Sequence, residues 1–197
     1  MNKAERTKRF IIEQSAPIIN KKGMAGTSLS DIMEATKLAK GGIYGNFESK
    51  DEICSESFLY LTETLTQQLD RAVLSGQTAK EKFSNLLNAY KGIKTEGGCP
   101  ILNFGVEADD THPGMKENVK KVILASQKRF FDILADGIGK KEISSDLDPK
   151  NFSIKVFAMI EGAILCGRVL ESNAQMQIVL DAIQHEFETY LSADYLK

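Results

Sequence analysis

Apolar residues recur along most of the chain at spacings of three and four, which is the period of an amphipathic α-helix. The first such stretch covers residues 3–22, and further ones follow over residues 49–75, 78–90, 101–109, 114–137, 150–171 and 174–191. No alternating pattern typical of a β-strand competes with this period. With two shorter helices near the N-terminus, the pattern predicts an all-α protein of about nine helices.

The two shorter helices lie between residues 27 and 50. Ser28 is a favourable N-cap for a helix over residues 29–36, and Asp31 stands where an acidic side chain suits the positive helix end. A three-residue turn separates it from a second helix over residues 40–44, and Ser49 caps the helix that follows. Two short helices joined by a turn form a helix-turn-helix, whose second helix can enter the DNA major groove.

The first long helix contains a proline and ends at a glycine. Pro17 removes the hydrogen bond to the carbonyl of Glu13, so we expect either a kink or a helix that packing stabilises despite the proline. Gly23 is suited to end this helix.

Composition narrows the class of protein. The chain has 197 residues, 42% of them hydrophobic, and no apolar run approaches the length of a membrane span. Its three cysteines are widely spaced, which predicts neither a disulfide framework nor a metal site. The two histidines, His112 and His185, have no neighbours that resemble a catalytic triad. We therefore expect a cytoplasmic protein that is not an enzyme and has no cofactor.

Charge is distributed unevenly along the chain. Residues 1–51 carry nine Lys or Arg against six Asp or Glu, although the whole chain has a net charge of −2. A basic segment on an acidic remainder suits a protein that contacts phosphates with one end. Chance is the alternative, because the excess is small. Lys3, Arg6, Lys8 and Arg9 fit either a phosphate-binding arm or a solvated charged face.

The apolar residues of the last two predicted helices indicate self-association. Residues 154–166 are apolar on almost every side, and such a helix must be buried on both faces. One face can meet the core of its own chain, and Gly162 and Gly167 would allow a second copy to approach the other. We expect a homodimer formed by the last two helices, with a monomer that has a well-filled core as the alternative.

The N-terminal segment resembles a known family. Its pattern of residues is similar to the DNA-binding domain of the TetR family of bacterial transcriptional regulators, at Gly23, Thr27, Ile32, Ala35, Lys40, Gly41, Gly42, Ile43, Tyr44, Phe47, Ser49 and Lys50. The resemblance implies a DNA-binding domain at 1–48 and a ligand-binding and dimerisation domain at 49–197. It also implies a repressor that releases operator DNA when a small, largely apolar molecule binds. A helical interaction module without specific DNA binding is the alternative.

The predicted DNA contacts follow from residue type and from this resemblance. Lys50 is disfavoured near a helix start, and a phosphate partner would remove that conflict. The glycines around Tyr44 either clear space for DNA or only allow a tight turn. Ile43 and Phe47 are expected in the core. The predicted contacts are Thr27, Ser28, Lys37, Lys40, Gly41, Gly42, Tyr44, Asn46 and Lys50.

Two regions are predicted to line an effector pocket. The first is a Gly-Cys-Pro segment that some TetR relatives resemble, with Cys99, Asn103, Phe104 and Glu107. Cys99 is either a sensor or an apolar filler, and the filler is favoured because no basic residue lies beside it. The second region has Phe130, Phe157 and Glu161, although such aromatic residues often serve the core. Glu161 needs a partner among apolar neighbours, whether a ligand, a second subunit or a solvated rim.

Overall fold

The computed structural model describes residues 2–93 and 95–193. Over these residues the chain forms nine α-helices, which confirms the all-α prediction: α1 (Lys3–Lys22), α2 (Leu29–Thr36), α3 (Lys40–Tyr44), α4 (Lys50–Leu74), α5 (Ala79–Gly92), α6 (Pro100–Ala108), α7 (Pro113–Gly139), α8 (Pro149–Val169) and α9 (Ala174–Glu188). No helix in this described part of the chain is both long enough and apolar enough to cross a membrane.

Helix α1 runs unbroken through Pro17. Ile11 and Ile19, on either side of the proline, are buried at 0% and 1% exposure. Burial of these side chains offsets the lost backbone hydrogen bond, which is the second of the two predicted outcomes. The helix ends at Gly23, whose φ of 82° lies in a region that other residues rarely adopt.

Side-chain caps define several helix starts. The Ser28 hydroxyl accepts the Asp31 N–H, and the Asp31 carboxylate accepts the Ser28 N–H in return. Thr78 and Glu81 form the same reciprocal cap at α5. These capping boxes satisfy backbone donors that have no partner within the helix. The predicted cap residue of α2 is therefore confirmed, and α5 has a cap of the same kind.

Helix α9 ends earlier than its apolar period suggests. The backbone beyond it pairs with the segment before α8, where the Ser144 N–H donates to the Tyr190 carbonyl at 2.7 Å and the Ser192 N–H to Glu142 at 2.9 Å. Ile143 and Leu191 form an isolated antiparallel bridge between these segments. This pairing replaces a last helical turn, and the sequence pattern gave no sign of it.

The chain divides into two compact units. Unit 1 contains residues 2–64 and 95–122, so it holds α1–α3, the first part of α4, α6 and the first part of α7. Its core includes Phe58 and Phe104, whose ring centroids lie 5.2 Å apart. Packing therefore groups α6 with the helix-turn-helix. The functional boundary between residues 48 and 49 stays a prediction.

Unit 2 contains residues 65–93 and 123–193. Phe83 is at its centre, with its ring stacked on Phe187 at 4.1 Å between centroids and against Phe130 at 5.9 Å. Tyr90 also stacks on Phe130, at 5.9 Å between centroids. Phe130 is fully buried in this cluster, so the structure gives it a core role.

Candidate DNA-binding surface

The helix-turn-helix is formed by α2, the turn at residues 37–39 and α3. Lys37 ends α2 with a φ of 56°, a left-handed conformation that turns the chain sharply. The Thr36 hydroxyl donates to the Ile32 carbonyl at 2.7 Å and accepts the Leu38 N–H at 3.3 Å. Side-chain hydrogen bonds thus fix the turn that orients α3.

The Asp31 carboxylate stabilises the start of α2, and an ion pair with Lys22 balances its negative charge. The Lys22 ammonium at the end of α1 lies 2.5 Å from it, and the Ser28 backbone N–H also donates to it. These donors hold the pKa of Asp31 well below its usual range. The carboxylate is therefore ionised at neutral pH, and Lys22 offsets its charge next to the surface that would meet phosphates.

Helix α3 is anchored by two buried side chains. Ile43 is 0% exposed and Phe47, just beyond the helix, is 2% exposed. The Lys8 ammonium lies over the Phe47 ring at 5.0 Å from its centroid. The prediction that these two residues belong to the core is confirmed.

The outward side of α3 carries Lys40 and Tyr44. Tyr44 is 40% exposed, and the Lys40 ammonium lies 5.8 Å from the centroid of its ring. Tyr44 was predicted to contact DNA, and the structure shows it at the surface. A basic group and a phenol on one exposed face provide hydrogen-bond donors for phosphates and base edges.

The fold itself does not require Gly41 or Gly42. A Cβ atom added at Gly41 would meet nothing within 4 Å, and one at Gly42 would lie in ordinary contact with Leu38 at 3.6 Å. Neither glycine has a positive φ. At Gly41 and Gly42 the tight-turn requirement is therefore not supported, whereas a Cβ at Gly45 would lie 3.1 Å from the Gly41 carbonyl oxygen. Open space for an approaching molecule remains.

Thr27 requires a correction as a predicted DNA contact. It is 0% exposed, and its hydroxyl donates to the Gly23 carbonyl at 2.7 Å. Its side chain therefore holds the loop between α1 and α2 and has no surface for DNA. Ser28, by contrast, is exposed while it caps α2.

Lys50 has partners inside the protein. Its ammonium donates to the Met24 carbonyl at 2.8 Å and to the Thr27 carbonyl at 3.0 Å. These acceptors supply the negative partner for which the sequence argument invoked a phosphate. The DNA contact of Lys50 stays a prediction, but the physical reason given for it no longer holds.

The remaining predicted DNA contacts differ in whether their side chains are exposed or bound within the protein. Lys37 is exposed, whereas Asn46 is half-buried and its amide donates to the Gly42 carbonyl at 2.8 Å. In the basic N-terminal segment, Lys8 pairs with Glu52 at 2.9 Å, and Arg9 pairs with Glu13 at 2.8 Å. These two residues therefore form ion pairs within the protein.

Helix α6 holds the loop that leads into α2. The Glu107 carboxylate accepts the backbone N–H groups of Met24, at 2.6 Å, and of Ala25. The Asn103 amide donates to the Asn20 carbonyl at 2.9 Å and to the Gly97 carbonyl at 2.9 Å. We call this set the α6 clamp. Sequence reasoning missed it, because Glu107 and Asn103 lie 82 or 83 residues from their partners in α1 and the loop after it.

The α6 clamp revises the predicted effector residues. Asn103 and Glu107 were expected to line a pocket, but their polar atoms bind backbone groups of unit 1 instead. The predicted set is also divided between the units: Cys99, Asn103, Phe104 and Glu107 belong to unit 1, and Phe130, Phe157 and Glu161 to unit 2. In the described part of the chain, no three His, Cys, Asp or Glu residues are grouped as a metal site would require.

Comparison with known proteins identifies the family. Residues 11–56 match the model of bacterial regulatory proteins of the tetR family, and residues 79–183 match the tetracyclin repressor-like C-terminal domain. The match to the C-terminal domain covers more than half of the chain.

Individual proteins that resemble this chain are also TetR-family or helix-turn-helix regulators. A TetR-family regulator from Cytophaga hutchinsonii is 36% identical, with a TM-score of 0.90 over 97% of this chain and 98% of that one. One from Chloroflexus aurantiacus is 30% identical, with a TM-score of 0.92 over the same shares. A helix-turn-helix regulator of Lactococcus lactis is 24% identical over 92% of this chain and 93% of its own. The chain belongs to the TetR family of transcriptional regulators. It is therefore a DNA-binding regulator and not an enzyme.

Proposed function

We propose that this regulator is a homodimeric repressor that binds a pseudo-palindromic operator and releases it when a small molecule binds. The observation that carries the proposal is the exposed face of α3, which presents Lys40 and Tyr44 on a helix held rigidly by Ile43. A recognition helix works in this way, with an apolar anchor inside and polar donors outside.

The DNA contacts divide by chemistry. Ser28 at the start of α2 and Lys37 in the turn before α3 lie at the surface and suit phosphate oxygens, which fix register without reading sequence. Lys40 and Tyr44 suit base edges, and Gly41, Gly42 and Asn46 complete the proposed surface. Lys50 acts mainly through the loop carbonyls that it binds.

An apolar stripe on α8 and α9 supports the homodimer. Along α8 the exposed apolar residues are three or four apart, and Ile178 on α9 is also 68% exposed. A soluble monomer rarely leaves so continuous a row of apolar residues in water. The stripe on α8 comprises Ile154, Ala158, Gly162, Leu165 and Val169.

The effector response needs an element that holds the DNA-binding surface in one arrangement. The α6 clamp is such an element, because Glu107 holds the backbone directly before the cap of α2. A ligand shifts the equilibrium only if it binds the DNA-free arrangement more tightly. We propose a small, largely apolar effector. Phe157 and Glu161 are candidate contacts in unit 2, and Cys99 and Phe104 are candidates for a separate site in unit 1.

The test is selection of bound duplexes from a random library at two salt concentrations. We expect an enriched palindrome whose half-sites lie about one helical turn, roughly 34 Å, apart. The selected duplex then serves to screen small apolar compounds for release. Weak, sequence-blind binding without an enriched motif would reject the repressor and favour an interaction module. An enriched motif that no ligand releases would reject only the effector response.

A further inference from the structure

Helix α3 exposes very few side chains. Of its five residues, all of which the structure describes, Gly41 and Gly42 have no side chain and Ile43 is buried. Lys40 and Tyr44 are left to reach outward. A recognition helix of ordinary composition presents three or four side chains to base edges. This helix has about half that number.

The residues that flank α3 add little. Gly45 directly follows the helix and has no side chain, and the Asn46 amide is bound to the Gly42 carbonyl at 2.8 Å. Before the helix, Leu38 is half-buried, Ala39 carries only a methyl group, and the exposed Lys37 suits a phosphate. Direct readout by α3 therefore depends on one lysine and one tyrosine.

These two side chains read a limited set of bases. A lysine ammonium pairs with the O6 and N7 acceptors of guanine, and a tyrosine ring packs on the methyl group of thymine. With one base pair for each side chain, α3 would specify about two base pairs in a half-site. Other selectivity must come from the shape and deformability of the duplex.

The glycine surface provides the means to sense shape. A Cβ atom at Gly41 would meet no atom of the protein within 4 Å. The α3 backbone can therefore approach the DNA groove more closely than a helix that carries a side chain at this position. Close approach makes binding sensitive to groove width, since a narrow or wide groove changes every backbone distance at once.

We infer that this regulator recognises its operator mainly by backbone approach and duplex shape, with Lys40 and Tyr44 reading a guanine and a thymine position. The inference rests on the proposed DNA-binding function and specifies how that function achieves selectivity. In this inference the absence of a side chain at Gly41 contributes to operator specificity.

The first experiment adds a methyl group to the surface. Gly41→Ala should lower affinity for the selected operator about tenfold, the loss expected when one base contact is displaced, while binding to random duplex stays unchanged. Gly114→Ala is the matched control, because a Cβ there also meets nothing within 4 Å and the residue lies on α7. Unchanged operator affinity in Gly41→Ala would overturn the inference.

The second experiment counts the specified positions by repeating the duplex selection with variants. The wild-type half-site should show about two strongly fixed base pairs, with Lys40→Ala losing a guanine and Tyr44→Ala losing a thymine. Tyr44→Phe should keep the thymine preference. Five or more fixed base pairs that survive these substitutions would overturn the inference but leave the proposed function intact. No enriched motif at all would reject both.

Discussion

At the scale of single residues, charge and residue type left the role of a side chain open until its partners were known. Lys37 and Lys50 are both lysines of the same segment, and both were predicted to contact DNA. One is exposed at the turn, and the other bonds two carbonyls of its own chain. A lysine binds whichever acceptors the fold brings within reach.

This difference predicts distinct effects for substitutions of Lys50 and Lys37. Lys50→Met should lower the free energy of unfolding by about 1–2 kcal/mol, because two hydrogen bonds from a charged donor are lost. Lys37→Met should leave stability unchanged but weaken DNA binding, and should reduce the slope of log affinity against log salt by about one. Urea denaturation and binding titrations at several salt concentrations measure both. Equal stability of the two variants would contradict the internal role of Lys50.

The role of a glycine also depends on its neighbours in the fold. Gly162 and Gly167 on α8 were both expected to allow a second copy to approach. A Cβ at Gly162 meets nothing within 4 Å, whereas one at Gly167 would lie 2.9 Å from the Ser172 carbonyl oxygen. Gly167 is therefore needed by the turn that follows its own helix. Gly162 remains available to a partner.

At the scale of elements, helix starts were predictable because their signals are local. The caps at Ser28 and Thr78 involve residues only three apart, so they are visible in the sequence. The end of α9 was not predictable, since the pairing of Ser192 with Glu142 joins distant segments. The α6 clamp is likewise a long-range contact between α6 and the loop after α1.

Removal of one acceptor tests the α6 clamp. Glu107→Gln should cost about 1 kcal/mol of unfolding free energy, because a neutral amide with one acceptor oxygen replaces a carboxylate that accepts two N–H groups. Amide hydrogen exchange at Met24 and Ala25 should become faster, and operator affinity should fall. Glu117→Gln is the matched control, since its carboxylate is exposed and pairs only loosely with Lys120 at 3.4 Å.

Exchange at Met24 and Ala25 that is equally slow in wild type and Glu107→Gln would contradict the clamp. Faster exchange with unchanged operator affinity would keep the clamp as a structural feature. It would remove the clamp from the proposed effector response.

At the scale of the whole molecule, the predicted homodimer depends on a face that a single chain leaves in water. Leu165 is 53% exposed and Val169 is 72% exposed, although the opposite side of α8 is buried in the core of unit 2. The sequence predicted that α8 must be covered on both sides. The single chain covers one of them.

A charge on this face should separate the subunits. Ile178→Glu and Leu165→Glu should shift the molecular mass measured by light scattering from that of a dimer to that of a monomer, because a buried unpaired carboxylate is strongly unfavourable. Val106→Glu is the control, since Val106 is 76% exposed on α6 and lies outside the stripe. Variants that all remain dimeric would contradict this interface. A monomeric wild type would reject the dimer itself.

The sequence by itself determined the helices, most of their starts and the class of protein. Periodicity and caps depend on residues within a few positions of one another, and the pattern from Gly23 to Lys50 carries the family resemblance. The inward positions of Ile43 and Phe47 follow from the same local pattern, and the structure confirms them.

Only the tertiary structure decided which polar side chains are free to act. Thr27, Asn103 and Glu107 bind backbone groups of unit 1, and Lys50 bonds the carbonyls of a loop 23 and 26 residues away. The physical reason is that a hydrogen bond depends on distance and angle in space, and segments remote in sequence set both.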